Sequence, residues 1–233
     1  MTRRRLTTSS SPSPSRRRSL PPSKPSPSGS LLRPFSQHAP FGLPRPKILS
    51  AWILYSVLIA VTLTLCDAVF HTRTGVLVYN APGHGLSLFP KHPTMDVFAG
   101  FLALSVFCTV SAWWMFRFYP AFSLAQTLFS FGIFLTTYFV SGVLKGYPML
   151  LFTSYFGVWV LQLFMFQHEV HKVVMYSFIL GLAGPICEGY YSSTGFFAYS
   201  EPHAYFVPMW LSGMYVNGAL AIIATASFLE SLL

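Results

Sequence analysis

The chain has 233 residues, of which 53% are apolar and 9% charged; soluble domains average about 25% charged residues, so a water-soluble globular fold is excluded. The net charge of +9 does not describe the apolar part: ten of the fifteen Lys and Arg lie in residues 1–47, which hold no acidic residue, and residues 48–233 carry five basic and six acidic groups. A nucleic-acid-binding face is excluded there, and three cysteines (Cys66, Cys108, Cys187) set in apolar runs build no disulfide framework.

Residues 1–47 hold eleven Ser and ten Pro, with Arg triplets at 3–5 and 16–18. Such a segment buries too little apolar surface to offset its ordering entropy, which predicts a disordered basic tail. Its Arg-rich, Ser-rich, acid-free composition also fits an organelle transit peptide, and that alternative stays open. Residues 48–233 form the expected transmembrane domain. Six apolar runs follow, at about 48–70, 95–118, 121–142, 148–167, 170–190 and 206–229, each near the roughly 20 residues that cross a bilayer as a helix. None has the polar face of a helix in a soluble core. The expected fold is an all-α, multi-pass membrane bundle. Lys and Arg placement puts the tail and both termini in the cytosol, with Arg117 and Lys172 on that side and Arg73, Lys91 and Lys145 opposite.

Two polar strings break the pattern. HTRTGVLVYNAP at 71–82 aligns without a gap on YSSTGFFAYSEP at 191–202, pairing Thr74-Gly75 with Thr194-Gly195, Tyr79 with Tyr199 and Pro82 with Pro202. The first lies between spans 1 and 2 and the second between spans 5 and 6. Four spans separate them, an even number, so both strings leave the bilayer on one side as an internal parallel repeat and are expected to lie side by side. The glycines suit a positive φ, and the prolines stop a preceding helix. Cys66-Asp67 and Cys187-Glu188 precede the two strings, matched with a one-residue shift.

An ionisable residue in a membrane helix costs about 2.5–3.5 kcal/mol at the centre and less near the ends. Two acids recurring at matched places therefore point to a role, and if their carboxyls meet, one can hold its proton while the other ionises. That pairing supplies a general acid and a general base. Asp67 and Glu188 are the leading candidates. His71 stands four residues after Asp67 and is expected to orient it. Tyr79 and Tyr199 are candidate hydrogen-bond donors to a ligand oxygen. Glu201 joins them because its repeat counterpart is Ala81, which shares no scaffolding role. His84, His92 and His203 read as interfacial polar residues. His168-Glu169-x-His171 lacks the four-residue spacing of a zinc helix and reads as a polar turn. No nucleotide, redox-cofactor or serine-hydrolase motif is present, so neither cofactor nor metal is expected.

Gly195-x-x-x-Tyr199-x-x-Pro202, followed by Val207, Trp210-Leu211 and Tyr215-x-x-Gly218, resembles the last hairpin of the Insig (insulin-induced gene) family. Leu88-Phe89-Pro90 and Ala112-Trp113-Trp114 resemble that family's first loop and second helix. The resemblance implies a six-helix, sterol-binding regulatory protein of the endoplasmic reticulum membrane. It departs from the family at His168, where the matching position carries a functionally important Asp. By architecture and buried acids alone, the chain is also similar to small fungal integral-membrane epoxide hydrolases and terpene cyclases. The acids give the expected function: a cofactor-independent enzyme opening an epoxide on a lipophilic polyketide or terpenoid of secondary metabolism. One acid would deprotonate the nucleophile; the other, or Tyr79 or Tyr199, would protonate the epoxide oxygen. The alternative is an Insig-like sterol-binding regulator. Expected partners are a lipophilic small molecule and membrane lipid, with no nucleic acid; the oligomeric state is left open.

Overall fold

A computed structural model describes residues 46–80, 88–89, 91–116, 122–167 and 170–232. The basic tail up to residue 45, Pro82, His84, Pro90, Arg117, His168 and Glu169 lie outside the described residues. Among the described residues there are six α-helices: α1 Pro46–Cys66, α2 Thr94–Phe116, α3 Leu124–Val143, α4 Pro148–Leu163, α5 Val170–Ser193 and α6 Leu211–Leu232. Two short strands, β1 Leu77–Tyr79 and β2 Phe197–Tyr199, sit in the repeated strings. The described chain is a multi-pass helical membrane protein.

Five helical spans are long and apolar enough to cross a bilayer: Leu49–Thr72, Thr94–Phe116, Leu124–Val143, Val170–Ser193 and Leu211–Leu232. The fourth expected span is shorter. Helix α4 has 16 residues, and the chain turns at Phe164 and Met165. At about 1.5 Å per residue that is roughly 24 Å, less than the ~30 Å hydrocarbon core. Apolar composition runs on through the turn, so hydropathy alone overestimates the helix.

Helix α6 is the central one. Of its apolar window 78% is buried, against 28–39% in the other four. Small residues permit this: a side chain at Gly213 would collide with Tyr155, and one at Gly218 would meet the Phe134 ring at 2.9 Å. Asn217 fastens α6 to α4, donating to the Tyr155 carbonyl at 2.9 Å and accepting from Gln162 Nε2 at 2.7 Å. The outward residues, among them Leu58, Phe107, Trp114, Leu161 and Leu182, form the apolar surface a bilayer solvates. Helix α3 begins at a capping box, with Ser123 Oγ accepting from the Gln126 amide at 3.2 Å and Gln126 Oε1 accepting from the Ser123 amide at 3.0 Å.

The repeated strings pair. Leu77 faces Tyr199, Val78 faces Ala198 and Tyr79 faces Phe197 in an antiparallel ribbon. Two further bonds flank it, Asn80 N to Phe196 O at 3.2 Å and Ser200 N to Val76 O at 2.9 Å. Adding the 120-residue repeat offset exchanges these pairs two by two and leaves Val78–Ala198 mapped onto itself. The ribbon is therefore two-fold symmetric about Val78 and Ala198, which the parallel repeat requires of an axis along the membrane normal. Gly75 and Gly195 enter it at φ +71° and +79°, the left-handed region where a Cβ is penalised. Lys145, in the α3–α4 turn, donates to the Thr74 carbonyl at 2.7 Å and ties this corner down.

The repeats differ in one way. After α1 the helix widens into a π-helical segment, Asp67–Thr72, whereas α5 continues as α-helix to Ser193. Seven residues separate Asp67 from Thr74, but six separate Glu188 from Thr194. A π-turn is an α-helix carrying one inserted residue. That insertion accounts for the one-residue shift between the acids.

Candidate functional site

The π-turn and the ribbon place Asp67 at the centre of a buried polar cluster. Tyr79 on β1 reaches back to donate its hydroxyl to Asp67 Oδ2 at 2.8 Å. His92, just before α2, puts Nε2 3.2 Å from the same oxygen and Nδ1 3.1 Å from Thr94 Oγ. His71 Nδ1 lies 3.5 Å from Oδ1, and its Nε2 is 2.9 Å from Ser141 Oγ on α3. Asp67, His71 and His92 are 4%, 2% and 1% exposed, so water does not compete for these contacts. The Tyr138 ring stacks on His71 at 4.9 Å, and Trp210 meets it edge-on at 5.9 Å.

Glu188 has the matching arrangement with a different shell. Tyr199 on β2 donates to Oε2, and Tyr215 of α6 donates to Oε1 at 2.6 Å. Each acid is thus clasped by the tyrosine of its own repeat. Among the described residues no hydrogen bond joins the two carboxyls. Burial pushes both phenols well above their ordinary value; the nearer acid adds to this, Asp67 for Tyr79 and Glu188 for Tyr199, and the farther acid contributes as well. Both therefore stay protonated donors at neutral pH. A phenol whose proton is held more tightly folded than unfolded stabilises fully below the unfolded value near 10 and less above it. Thermal unfolding compared at pH 8 and pH 11 is expected to show that alkaline loss, and its reduction in Tyr79→Phe/Tyr199→Phe.

Glu201 and His203 are exposed and stand apart from both clasps. Sequence reasoning placed His92 at the interface, whereas it is buried against Asp67; no periodic signal could reveal this, because a loop residue is buried by packing alone. Tyr215 was visible only as a letter in the hairpin pattern. Neither Ser141 nor Tyr138 carried any signal. Among the described residues no group of three His, Cys, Asp or Glu side chains is arranged to hold a metal.

Beneath the clasps lies a partly open apolar cleft with a cavity volume of about 50 Å³. Its walls come chiefly from α1 (Tyr55, Ile59, Leu63), α2 (Phe101 to Thr109), α3 (Phe131, Phe134, Tyr138) and α6 (Met214 to Ile222). Asp67, His71, Tyr79, Glu188, Tyr199 and Glu201 do not line it. Few of its lining residues carry a hydroxyl: Tyr55, Ser105, Thr109, Tyr138 and Tyr215, the last with its hydroxyl bonded to Glu188.

A central small-residue helix, a duplicated hairpin and an apolar intramembrane cleft make this an Insig-like membrane fold. Among solved structures, the chain is similar to MvINS, a mycobacterial Insig homologue from Mycobacterium vanbaalenii, with a TM-score of 0.62 and 17% identity over 79% of this chain and 95% of that one. A cross-linked MvINS trimer matches with a TM-score of 0.60 and 19% identity, covering 81% and 94%. No protein-family model and no curated protein matches the sequence.

These neighbours overturn the expectation of an epoxide hydrolase or cyclase of secondary metabolism, since the shared fold is that of Insig homologues. The geometry gives the physical reason. Each carboxylate is occupied by donors from its own scaffold, and none of the expected catalytic residues faces the cleft where a lipophilic substrate would lie.

Proposed function

We propose that this chain is a non-enzymatic, sterol-binding regulatory protein of the endoplasmic reticulum membrane. The observation that carries the reading is the cleft, an almost wholly apolar opening between α1, α2, α3 and α6 of an Insig-like bundle. A few polar points in an apolar wall are what orients a largely apolar ligand. Asp67 and Glu188 act here as scaffold, holding the ribbon that closes one end of the bundle. The Lys and Arg distribution supports cytosolic termini, and the MvINS trimer supports self-association as the assembly to look for.

The test is equilibrium binding of tritiated cholesterol to the full chain in phosphatidylcholine nanodiscs. Saturable binding is expected, displaced by unlabelled sterol. Leu104, half-buried at the cleft edge, gives the controlling variant: Leu104→Trp fills the space and is expected to weaken binding at least tenfold while circular dichroism stays unchanged. Absence of saturable binding in the unaltered protein overturns the proposal.

A further inference from the structure

Two cleft-lining rings belong also to the clasps. Tyr215 lines the cleft with its ring, and its hydroxyl donates to Glu188 at 2.6 Å. Tyr138 lines it too, and stacks on His71 of the Asp67 cluster. Both stand within two turns of the ribbon-side ends of their helices, α6 from Leu211 and α3 to Val143. The chain of contacts is short and continuous. From the cleft it runs through Tyr215 to Glu188, through Glu188 to Tyr199, and through Tyr199 into the β1–β2 pairing. The Tyr215 ring has little room to move independently, for it is seated on Gly184 of α5, where a Cβ would approach it to 2.4 Å.

We infer that occupancy of the cleft is transmitted to the β1–β2 ribbon through Tyr215, so that the ribbon reports whether the cleft is filled. An occupant that displaces the ring alters the donor set of a largely buried carboxylate. An unsatisfied buried carboxylate is costly, so the Glu188–Tyr199 clasp responds rather than tolerating the lost donor. By linkage the effect is reciprocal: a loosened ribbon changes the affinity of the cleft by the same factor. The inference rests on the sterol reading for the identity of the occupant, though not for the coupling itself.

Hydrogen exchange of residues 76–80 and 196–200, read by mass spectrometry on the full chain in phosphatidylcholine nanodiscs, tests it. Saturating cholesterol is expected to change exchange in both segments at least threefold. Ser105→Leu, about three turns along α2 from its ribbon-side end, plugs the cleft without ligand and is expected to change it in the same direction. Leu104→Trp is a second plug at the rim should the first fail to fold. Tyr215→Phe keeps the ring and removes only the hydroxyl; ribbon exchange should rise at least threefold in the empty protein, and its response to sterol or plug should fall by half or more. Sterol that binds without altering ribbon exchange, or plugs that leave it unchanged, overturn the coupling. Plugs that alter exchange in a protein that binds no sterol uphold the coupling and remove the sterol reading.

Discussion

Asp67→Ala is expected to destabilise the protein by about 3–5 kcal/mol, the cost of removing one partner from a buried charged cluster. Three groups lose their acceptor at once: the Tyr79 hydroxyl, His92 Nε2 and His71 Nδ1. The loss reaches further than the side chain, because those groups belong to β1, the segment before α2 and the π-turn. Asp67→Asn keeps one acceptor oxygen but turns an amide toward donors, so an intermediate loss is expected. Thermal unfolding in dodecylmaltoside measures both. The outcome also separates scaffold from catalyst. Catalytic groups held in strained sites often sacrifice stability for function, and removing one is neutral or stabilising; melting unchanged or raised in Asp67→Ala would contradict the clasp.

Gly142→Ala is the second large effect, expected to cost about 1–3 kcal/mol or more through overpacking. A Cβ there would stand 2.4 Å from the Phe70 carbonyl oxygen and 3.4 Å from Thr74 Cγ2. Backbone cannot swing aside as a side-chain tip can, so α3 must withdraw from the π-turn. Ser141, one residue earlier, would carry its hydroxyl away from His71 and weaken the Asp67 cluster from behind. Gly132→Ala in the same helix meets nothing within 4 Å, and the helical preference for Ala over Gly makes it neutral or slightly stabilising. A thermal-melt comparison of the two variants isolates the contact from the general effect of losing a glycine.

How far the sequence discloses this molecule differs from one feature to the next. Composition and span length suffice for the helical membrane class, because a bilayer demands apolar length and internal backbone bonding whatever the residues' order. The gapless match of the two strings was enough to expect them side by side, and Gly75 and Gly195 enter with positive φ. Where α4 stops was not legible, since Phe164 and Met165 are as apolar in a turn as in a helix. The π-turn was visible only as a one-residue shift between Asp67 and Glu188, which weakened the apparent match yet was the trace of the extra residue. The acids were singled out together with His71, Tyr79 and Tyr199, but the other neighbours, His92 and Tyr215 among them, were not. Distance along the chain hides that His92 and Tyr215 converge on them, and whether a carboxylate faces a substrate or a scaffold depends on those neighbours. Glu201 is exposed and apart from both clasps, and its place inside the repeat says nothing about the direction in which a loop side chain emerges.

The symmetry of the ribbon has a consequence for how the chain is organised. A contact in which every pair maps onto another under a two-fold rotation is the isologous interface of a homodimer, here written within a single polypeptide. The 71–82 and 191–202 edges are each other's complement because each is nearly its own. A pair of identical hairpins would need only the geometry already present at Val78 and Ala198. Within one chain the two halves need not be identical: one carries an extra residue and a histidine shell around Asp67, the other a second tyrosine on Glu188. Departures from two-fold likeness, rather than the likeness itself, are therefore what gives each half of this protein its own buried polar surroundings.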